Sequence, residues 1–260
     1  MHAFLAVCEE AARAGGEVLQ HWRGRFAVRS KAPADLVTEA DFQSQRRIRE
    51  IVLKAFPDHD FLGEEADGIP TETAKYRWIV DPLDGTTNYV HGLPHYSVSI
   101  GLMQDDEPIV GVVFDPAKDE CFAAAKGFGA TLNGESIRAS QVVGLEEALV
   151  VTGFAPGVTG DSEEAAMFLH MLGHCQAIRR LGSSALNLAY VACGRLDAYW
   201  GTTVKSWDVA AGILLVREAG GVVSDIDGTP FKLEFPRTVA SATPQIHQQV
   251  LSVLQRATRM

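Results

Sequence analysis

At 260 residues and 47% hydrophobic composition the chain can bury a large core, which excludes a disordered polymer. A formal charge of −10, with acidic residues spread along the sequence, leaves no basic surface for a phosphate backbone, so nucleic-acid binding is disfavoured. No run approaches the ~20 apolar residues of a membrane span, the N-terminus lacks a basic leader, and Cys8, Cys121, Cys175 and Cys193 stand apart as reduced thiols do, which together predict a soluble, cytoplasmic protein without a membrane partner.

Apolar and small residues at helical spacing predict an amphipathic helix over 3–22, closed by "GRF". "FAVRSKAPADLVTEAD" reads as a strand followed by a loop that carries Lys31, Asp35 and Asp41, and a second helix is expected over 39–55. From 76 to 132 the period changes to two, with strands at "YRWIV", "YSVSIGLM", "PIVGVVFDP" and "ECFAAAKG" and a tight turn at Asn133-Gly134. These form an antiparallel or mixed sheet. After 140 the chain alternates: a strand at "ALVVTGF", a helix over 161–173, a helix at "SSALNLAYVACG", a strand at "LDAYW", a helix over 207–219, a strand at "GGVVSDI" and a closing helix at "PQIHQQVLSVLQ". This is α/β (α+β) layering. No repeat or flexible linker divides it, so one domain over 1–260 is expected, with an N-terminal half of about 1–139 and an α/β half of about 140–260.

The chemistry concentrates on carboxylates. Asp208 opens an apolar helix and Glu64-Glu65 follow an apolar pair, positions that helix capping and solvation explain equally well. "DPLDGTTN" at 81–88 is harder to explain structurally. Pro82 locks the backbone between Asp81 and Asp84, Gly85 permits an unusual dihedral, and Thr86, Thr87 and Asn88 can cap a following helix. Both carboxylates and a main-chain carbonyl can thus converge where free N–H groups also point, an oxygen-only setting that hard divalent cations and a phosphate favour.

"GEE" at 63–65, "DPLDGTTN" at 81–88 and "WDVAAG" at 207–212, in this order, resemble the inositol monophosphatase family of magnesium-dependent phosphatases. Similarity continues through "KAPADLVTEAD", "GATLNGESI", "GSSALNLAYVACGRLDAYW" and "REAGGVVSDIDGTPF", nearly the whole chain. The resemblance implies a layered α/β/α/β/α sandwich, a homodimer and a small phosphate-ester substrate. It assigns Glu64, Asp81 and the Leu83 carbonyl to one Mg²⁺ and Asp81, Asp84 and Asp208 to a second. Glu64 would touch a third ion through water, and Mn²⁺ would substitute. Thr86 and Asp41 would orient the attacking water, with Glu64 in the same catalytic group. Asp84, Gly85, Thr86, Gly182, Ser183, Ser184 and Asp208 would contact substrate. Direct in-line attack by water, without a phosphoenzyme, follows from that ligand set.

Rival readings are weaker. "GGVVSDIDGT" at 220–229 matches haloacid-dehalogenase-like phosphatases, with Asp225 as nucleophile, yet the 31 residues after Thr229 are too few for the rest of that machinery. "KGFGATLNG" has Leu132 where a dinucleotide loop needs glycine, and His91 and His95 are read as packing or hydrogen-bonding residues, not zinc ligands. Lys31 reads either as a phosphate contact or as a solvated side chain. Some bacterial members of the family take part in RNA-polymerase or ribosomal-RNA transactions, so a regulatory protein that binds transcription machinery is the alternative of a different class. Members acting on inositol phosphates commonly carry a glutamate seven residues before the "WD" aspartate, and here that position is Gly201. Loss of that acceptor should leave more room for another alcohol, so fructose 1,6-bisphosphate, histidinol phosphate, a nucleotide 3′-phosphate or a broad range of esters is expected.

Overall fold

The computed structural model describes residues 1–26, 28–32, 35–65, 74–154, 157–234 and 236–257. Helix α1 (His2–Trp22) buries a stripe of small and apolar residues, Cys8, Ala11, Ala12 and Leu19 among them, as its period demands. The segment expected as one strand and a loop is a hairpin instead: β1 (Val28–Ala32) pairs antiparallel with β2 (Asp35–Thr38). The helix expected over 39–55 is α2 (Glu39–Ala55), and Asp41, which the overlapping loop reading also contained, lies in its first turn, where Thr38 and Asp41 close a capping box. Lys31 lies in β1, and its side chain is outside the described residues.

A short strand that periodicity missed, β3 (Asp60–Gly63), runs parallel to β4 (Tyr76–Asp84). After the five-residue α3 (Thr86–Val90) a meander follows: β5 (Ser97–Gln104), β6 (Glu107–Asp115), β7 (Glu120–Ala125), β8 (Ala130–Leu132) and β9 (Glu135–Ile137), which completes a seven-stranded sheet in chain order. Asn133 and Gly134 turn between the last two strands with φ of 49° and 84°, the conformation for which that dipeptide was read.

The second half gives β10 (Leu149–Gly153), α4 (Glu163–Met171), β11 (Ala177–Arg179), α5 (Ser184–Ala192), β12 (Ala198–Gly201), α6 (Ser206–Glu218), β13 (Val222–Asp225), β14 (Thr238–Ser241) and α7 (Pro244–Ala257). Their sheet has the order β11-β10-β12-β14-β13, parallel across its first three strands and antiparallel across the rest. Strands β11 and β14 were not legible because three or four residues carry too little period to register.

Helices α1 and α2 cover one face of the first sheet, α5 and α6 fill the space between the sheets, and α4 and α7 cover the far face of the second. This is the five-layer α/β/α/β/α order that the family resemblance implies. The middle layer is thin by design of sequence. Gly101 and Gly111 face each other across β5 and β6, and a Cβ on Gly111 would stand 2.7 Å from the Ala211 carbonyl. On the other side of α6, a Cβ on Gly212 would meet Leu188 of α5 at 2.6 Å. "VAAG" after Asp208 is therefore small because the helix backbone touches a sheet and a helix at once. Ser99 adds a hydrogen bond to the Trp207 carbonyl at 3.2 Å, and Ser99 is the β5 partner of Asp81. Packing thus fixes the start of α6 beside the end of β4.

Gly111→Ala should overpack this contact and destabilise the protein by roughly 1–3 kcal/mol. Urea unfolding followed by circular dichroism measures it, and an unchanged midpoint would show that the layer can yield.

Candidate active site

The end of β4 departs from its ladder. Asp81 pairs with Ser99 and Asp84 with Ser97, and the register slips between them, where Pro82 has no N–H to offer. Gly85 then takes φ of 96°, and a Cβ there would stand 3.1 Å from the carbonyl oxygens of both Gly182 and His95. Only glycine fits that turn without strain. The side-chain cap expected from Thr86, Thr87 or Asn88 does not form. Thr86 Oγ1 instead donates to the Leu83 carbonyl at 3.0 Å. Asn88 Nδ2 donates to the carbonyls of His95 and Leu181, both at 2.8 Å, and locks this loop to the loop before α5.

Glu64 follows β3 and continues the parallel pairing by donating its N–H to the Val80 carbonyl at 3.0 Å. Its neighbour Glu65, buried, is clamped through its backbone by both ends of the Gln45 amide, so the two acidic residues divide into one facing the site and one held in the fold. Burial raises the pKa of Asp41, Asp81, Asp84 and Asp208, and the charge of Glu64 adds to each, so Glu64, just past β3, lies near residues of α2, β4 and α6. Burial, then Glu64, Asp84 and Asp208, hold the Asp81 carboxyl well above the ordinary carboxylate range. Burial, then Asp84, push Asp208 up to about 8. Asp84 rises to about 6 through burial, against three hydrogen bonds that pull it down.

Those three bonds come from a place that sequence reading did not connect with Asp84. Ser183 Oγ donates to it at 2.5 Å, and the backbone N–H groups of Ser184 and Ala185 donate at 3.2 and 2.7 Å. The first turn of α5 therefore holds a carboxylate by its free N–H groups and positive dipole end. Ser183, 1% exposed, also accepts from the Leu186 N–H, so its hydroxyl is engaged within the fold. Ser184 is half-buried, and Gly182 is exposed in the turn that receives Asn88. No signal in "GSSA" alone could have assigned this role, because the acceptor lies 99 residues away.

Asp41 and Thr86 do meet. Thr86 Oγ1 stands 3.5 Å from Asp41 Oδ1, while Asp41 Oδ2 accepts from the Thr38 N–H and hydroxyl at 2.8 and 2.6 Å. One oxygen is anchored by the capping box and the other faces Thr86. Burial pushes Asp41 up to about 6 despite those bonds. Asp208 shows the same double use: Oδ2 accepts from the Lys205 N–H at 2.7 Å as part of the start of α6. Asp225 instead closes the "DIDGT" turn, its N–H bound to the Thr229 carbonyl. His95 stacks edge-on to Tyr190, and burial depresses its pKa to about 4. At Gly201 the expected extra room is absent, since a Cβ there would meet the Tyr199 hydroxyl at 2.4 Å and Val204 at 3.0 Å.

The donor set suits a hard divalent cation: oxygen only, excess negative charge, and carboxylates already oriented by backbone N–H groups. Among the described residues no three acidic, histidine or cysteine side chains close into a finished cage, so shared charge and not coordination geometry groups them. Glu64, Asp81, Asp84, Asp208 and the second lone pair of the Leu83 carbonyl are the groups that would hold ions.

A layered phosphatase with an acidic centre is the class that fold and site define together. The sequence pattern of the inositol monophosphatase family matches residues 2–259, and the chain belongs to that family of metal-dependent, magnesium-using phosphatases. It is 42% identical over 257 residues to an inositol-1-monophosphatase of Synechocystis, covering 98% of this chain and 89% of the relative. It is 39% identical over 259 residues to a protein of Pasteurella multocida named Nus factor SuhB, covering 98% and 97%. The solved structure of an inositol monophosphatase from Anabaena superposes with a TM-score of 0.88 at 41% identity, covering 98% of this chain and 96% of that one.

Because the aspartates bind protons more tightly folded than unfolded, metal-free stability should fall as pH rises from about 4 towards 8. Mg²⁺ must displace those protons, so it should raise the melting temperature more at pH 8 than at pH 6. Calorimetry with and without Mg²⁺ at both pH values tests this, and equal shifts would contradict the clustering of charge.

Proposed function

We propose that the protein hydrolyses small phosphorylated alcohols, inositol monophosphate among them, with Mg²⁺ held by Glu64, Asp81, Asp84, Asp208 and the Leu83 carbonyl. The observation that carries the assignment is the charge of Glu64 acting on all four aspartates at once. Ions bound there would supply the acidity that activates water and the charge that stabilises the departing alkoxide. The chain's own residues do the rest. Asp41 Oδ1 and Thr86 Oγ1, 3.5 Å apart, receive and aim the attacking water, with the Asp41 carboxylate as its proton acceptor. The backbone N–H groups of Gly85 and Thr86 face the phosphate, and Ser184 stands on the leaving-group side. No nucleophilic side chain enters, so attack is direct.

Site groups come from both halves, Glu64, Asp81 and Asp84 from the first and Asp208 from the second, which supports one functional domain. Two or three ions, exchange of Mn²⁺ for Mg²⁺ and a homodimer extend the proposal on family membership alone. Gly201 withholds the acceptor that inositol-type members carry, which supports relaxed selectivity extending to sugar phosphates, histidinol phosphate or nucleotide 3′-phosphates. A second reading, a regulatory protein that binds transcription machinery, is favoured by the name of the Pasteurella relative. Asp84→Asn separates the two: it should abolish hydrolysis, and a regulatory role would survive it.

Activity on inositol 1-phosphate should require Mg²⁺ or Mn²⁺ and vanish in chelator, and full turnover in chelator would overturn the proposal. Thr86→Ala should lower kcat by roughly 10² to 10⁴ while the Mg²⁺-induced rise in melting temperature survives. Loss of that rise would place Thr86 among the metal ligands instead. Asp225→Asn should keep most activity, whereas a folded but inactive variant would restore the covalent mechanism.

A further inference from the structure

Away from the acidic centre, two imidazoles meet at the end of α4. That helix buries Met167 and Met171 in the core it shares with α7, and the turn after Met171 brings the His174 ring to 4.8 Å from the His170 ring, tilted by 45°. The rings do not stack. His91 and His95 have the same spacing of four residues, but there His95 packs edge-on against Tyr190 instead.

Each ring of the pair keeps one nitrogen uncommitted. His174 is exposed, and its Nδ1 lies 2.8 Å from the His170 carbonyl oxygen. A carbonyl only accepts, so Nδ1 carries the proton and the lone pair of the neutral ring is on Nε2. Metal-ligating histidines are set in this way, because the N–H that points away from the ion donates to a carbonyl and fixes the tautomer. His170 is half-buried, and its Nε2, shielded from solvent, has no hydrogen-bond partner among the described residues.

The separation of the rings has a length to be compared with. A zinc–nitrogen bond of about 2.0–2.1 Å, with about 1.1 Å more to the ring centre, puts each ring about 3.2 Å from a shared ion, and a tetrahedral angle then spaces the centres by about 5 Å. The observed 4.8 Å agrees with it. The pair also stands at the C-terminal end of a helix, where the last carbonyls and the dipole favour a cation. Among the described residues no third histidine, cysteine or carboxylate joins the two rings, so water must complete the coordination.

This place is apart from the acidic centre in position and in chemistry. The first turn of α4 points towards that centre, since Glu164 accepts from Thr202, beside Gly201, at 2.8 Å, and His170 lies six residues further on, about 9 Å along the axis. Imidazole nitrogens suit zinc, nickel and copper, whereas the carboxylates suit magnesium.

We propose that His170 and His174 form a second metal site, which takes a borderline divalent transition ion such as Zn²⁺ through Nε2 of each ring. The bound ion ties the turn after α4 to the last turn of the helix. The site does not depend on the phosphatase reading of the carboxylates.

The test is calorimetric titration with Zn²⁺ of the whole protein saturated with Mg²⁺, so that the carboxylates are already occupied. The wild type should show a Zn²⁺ binding event that weakens at least tenfold in His170→Gln and in His174→Gln. His21→Gln, an exposed histidine elsewhere, should leave it unchanged, and His174→Cys should retain it, because a thiolate is also a zinc ligand. In the wild type, Zn²⁺ should shift the ring proton resonances of His170 and His174 together, a readout that requires no variant to fold. Zn²⁺ isotherms that coincide in the wild type and both glutamine variants would overturn the site. So would ring resonances that stay in place, or a glutamine variant whose melting temperature falls without Zn²⁺ while its Zn²⁺ affinity is kept, since the pair would then serve the turn alone.

Discussion

Like charges held close together in a poorly hydrated place are the constraint on which this structure turns. Burial raises the affinity of Asp41, Asp81, Asp84 and Asp208 for protons, and the charge of Glu64 adds to it at each. Such a cluster opposes folding unless ions, protons or dipoles answer it. Each carboxylate is accordingly met by donors that cost the fold little: the Leu83 N–H for Asp81, the first turn of α5 for Asp84, the Lys205 N–H for Asp208 and Thr38 for Asp41. Three of these donor sets belong to helix starts. Asp41, Asp84 and Asp208 thus double as helix caps, and the capping explanation of Asp208 holds beside the role proposed for it.

The second requirement is that residues far apart in the chain arrive within a few ångströms. Close packing accomplishes this. Helix α6 can lie on the first sheet because Gly101 and Gly111 have no side chains beneath Ala210 and Ala211, and it can lie against α5 because Gly212 admits Leu188. The Asn88 amide, bound to carbonyls on both sides of the gap, joins the β4 turn to the loop before α5. Between them these contacts bring Asp208 and Asp84, from different halves of the chain, under the charge of Glu64. Small residues in the middle layer serve the site because they remove the distance that side chains would impose.

The strand ends of the second sheet show the opposite economy. There the fold leaves the hydroxyls of Tyr199 and Thr238 without a hydrogen-bond partner among the described residues. The volume at Gly201 is taken up by Tyr199 and Val204, so glycine there opens no extra room.

Much of this was legible in the residues. Amphipathic periodicity marks α1, α2 and α7, alternation marks the meander from β4 to β7, Asn133-Gly134 marks its last hairpin, and "GEE", "DPLDGTTN" and "WDVAAG" mark the acidic centre and its family. These are local signals: period, turn chemistry and motif spacing need only neighbours in the chain. The strands β3, β11 and β14 were not legible, being three or four residues long and defined by partners instead of pattern. Nor was the commitment of Ser183 to Asp84, 99 residues apart, the capping box that Asp41 closes with Thr38, or the filling of the space at Gly201 by Tyr199. Sequence determines which groups a chain can bring to a site; which of them are spent on each other depends on distances set by packing between layers, and those exist only once the layers have formed.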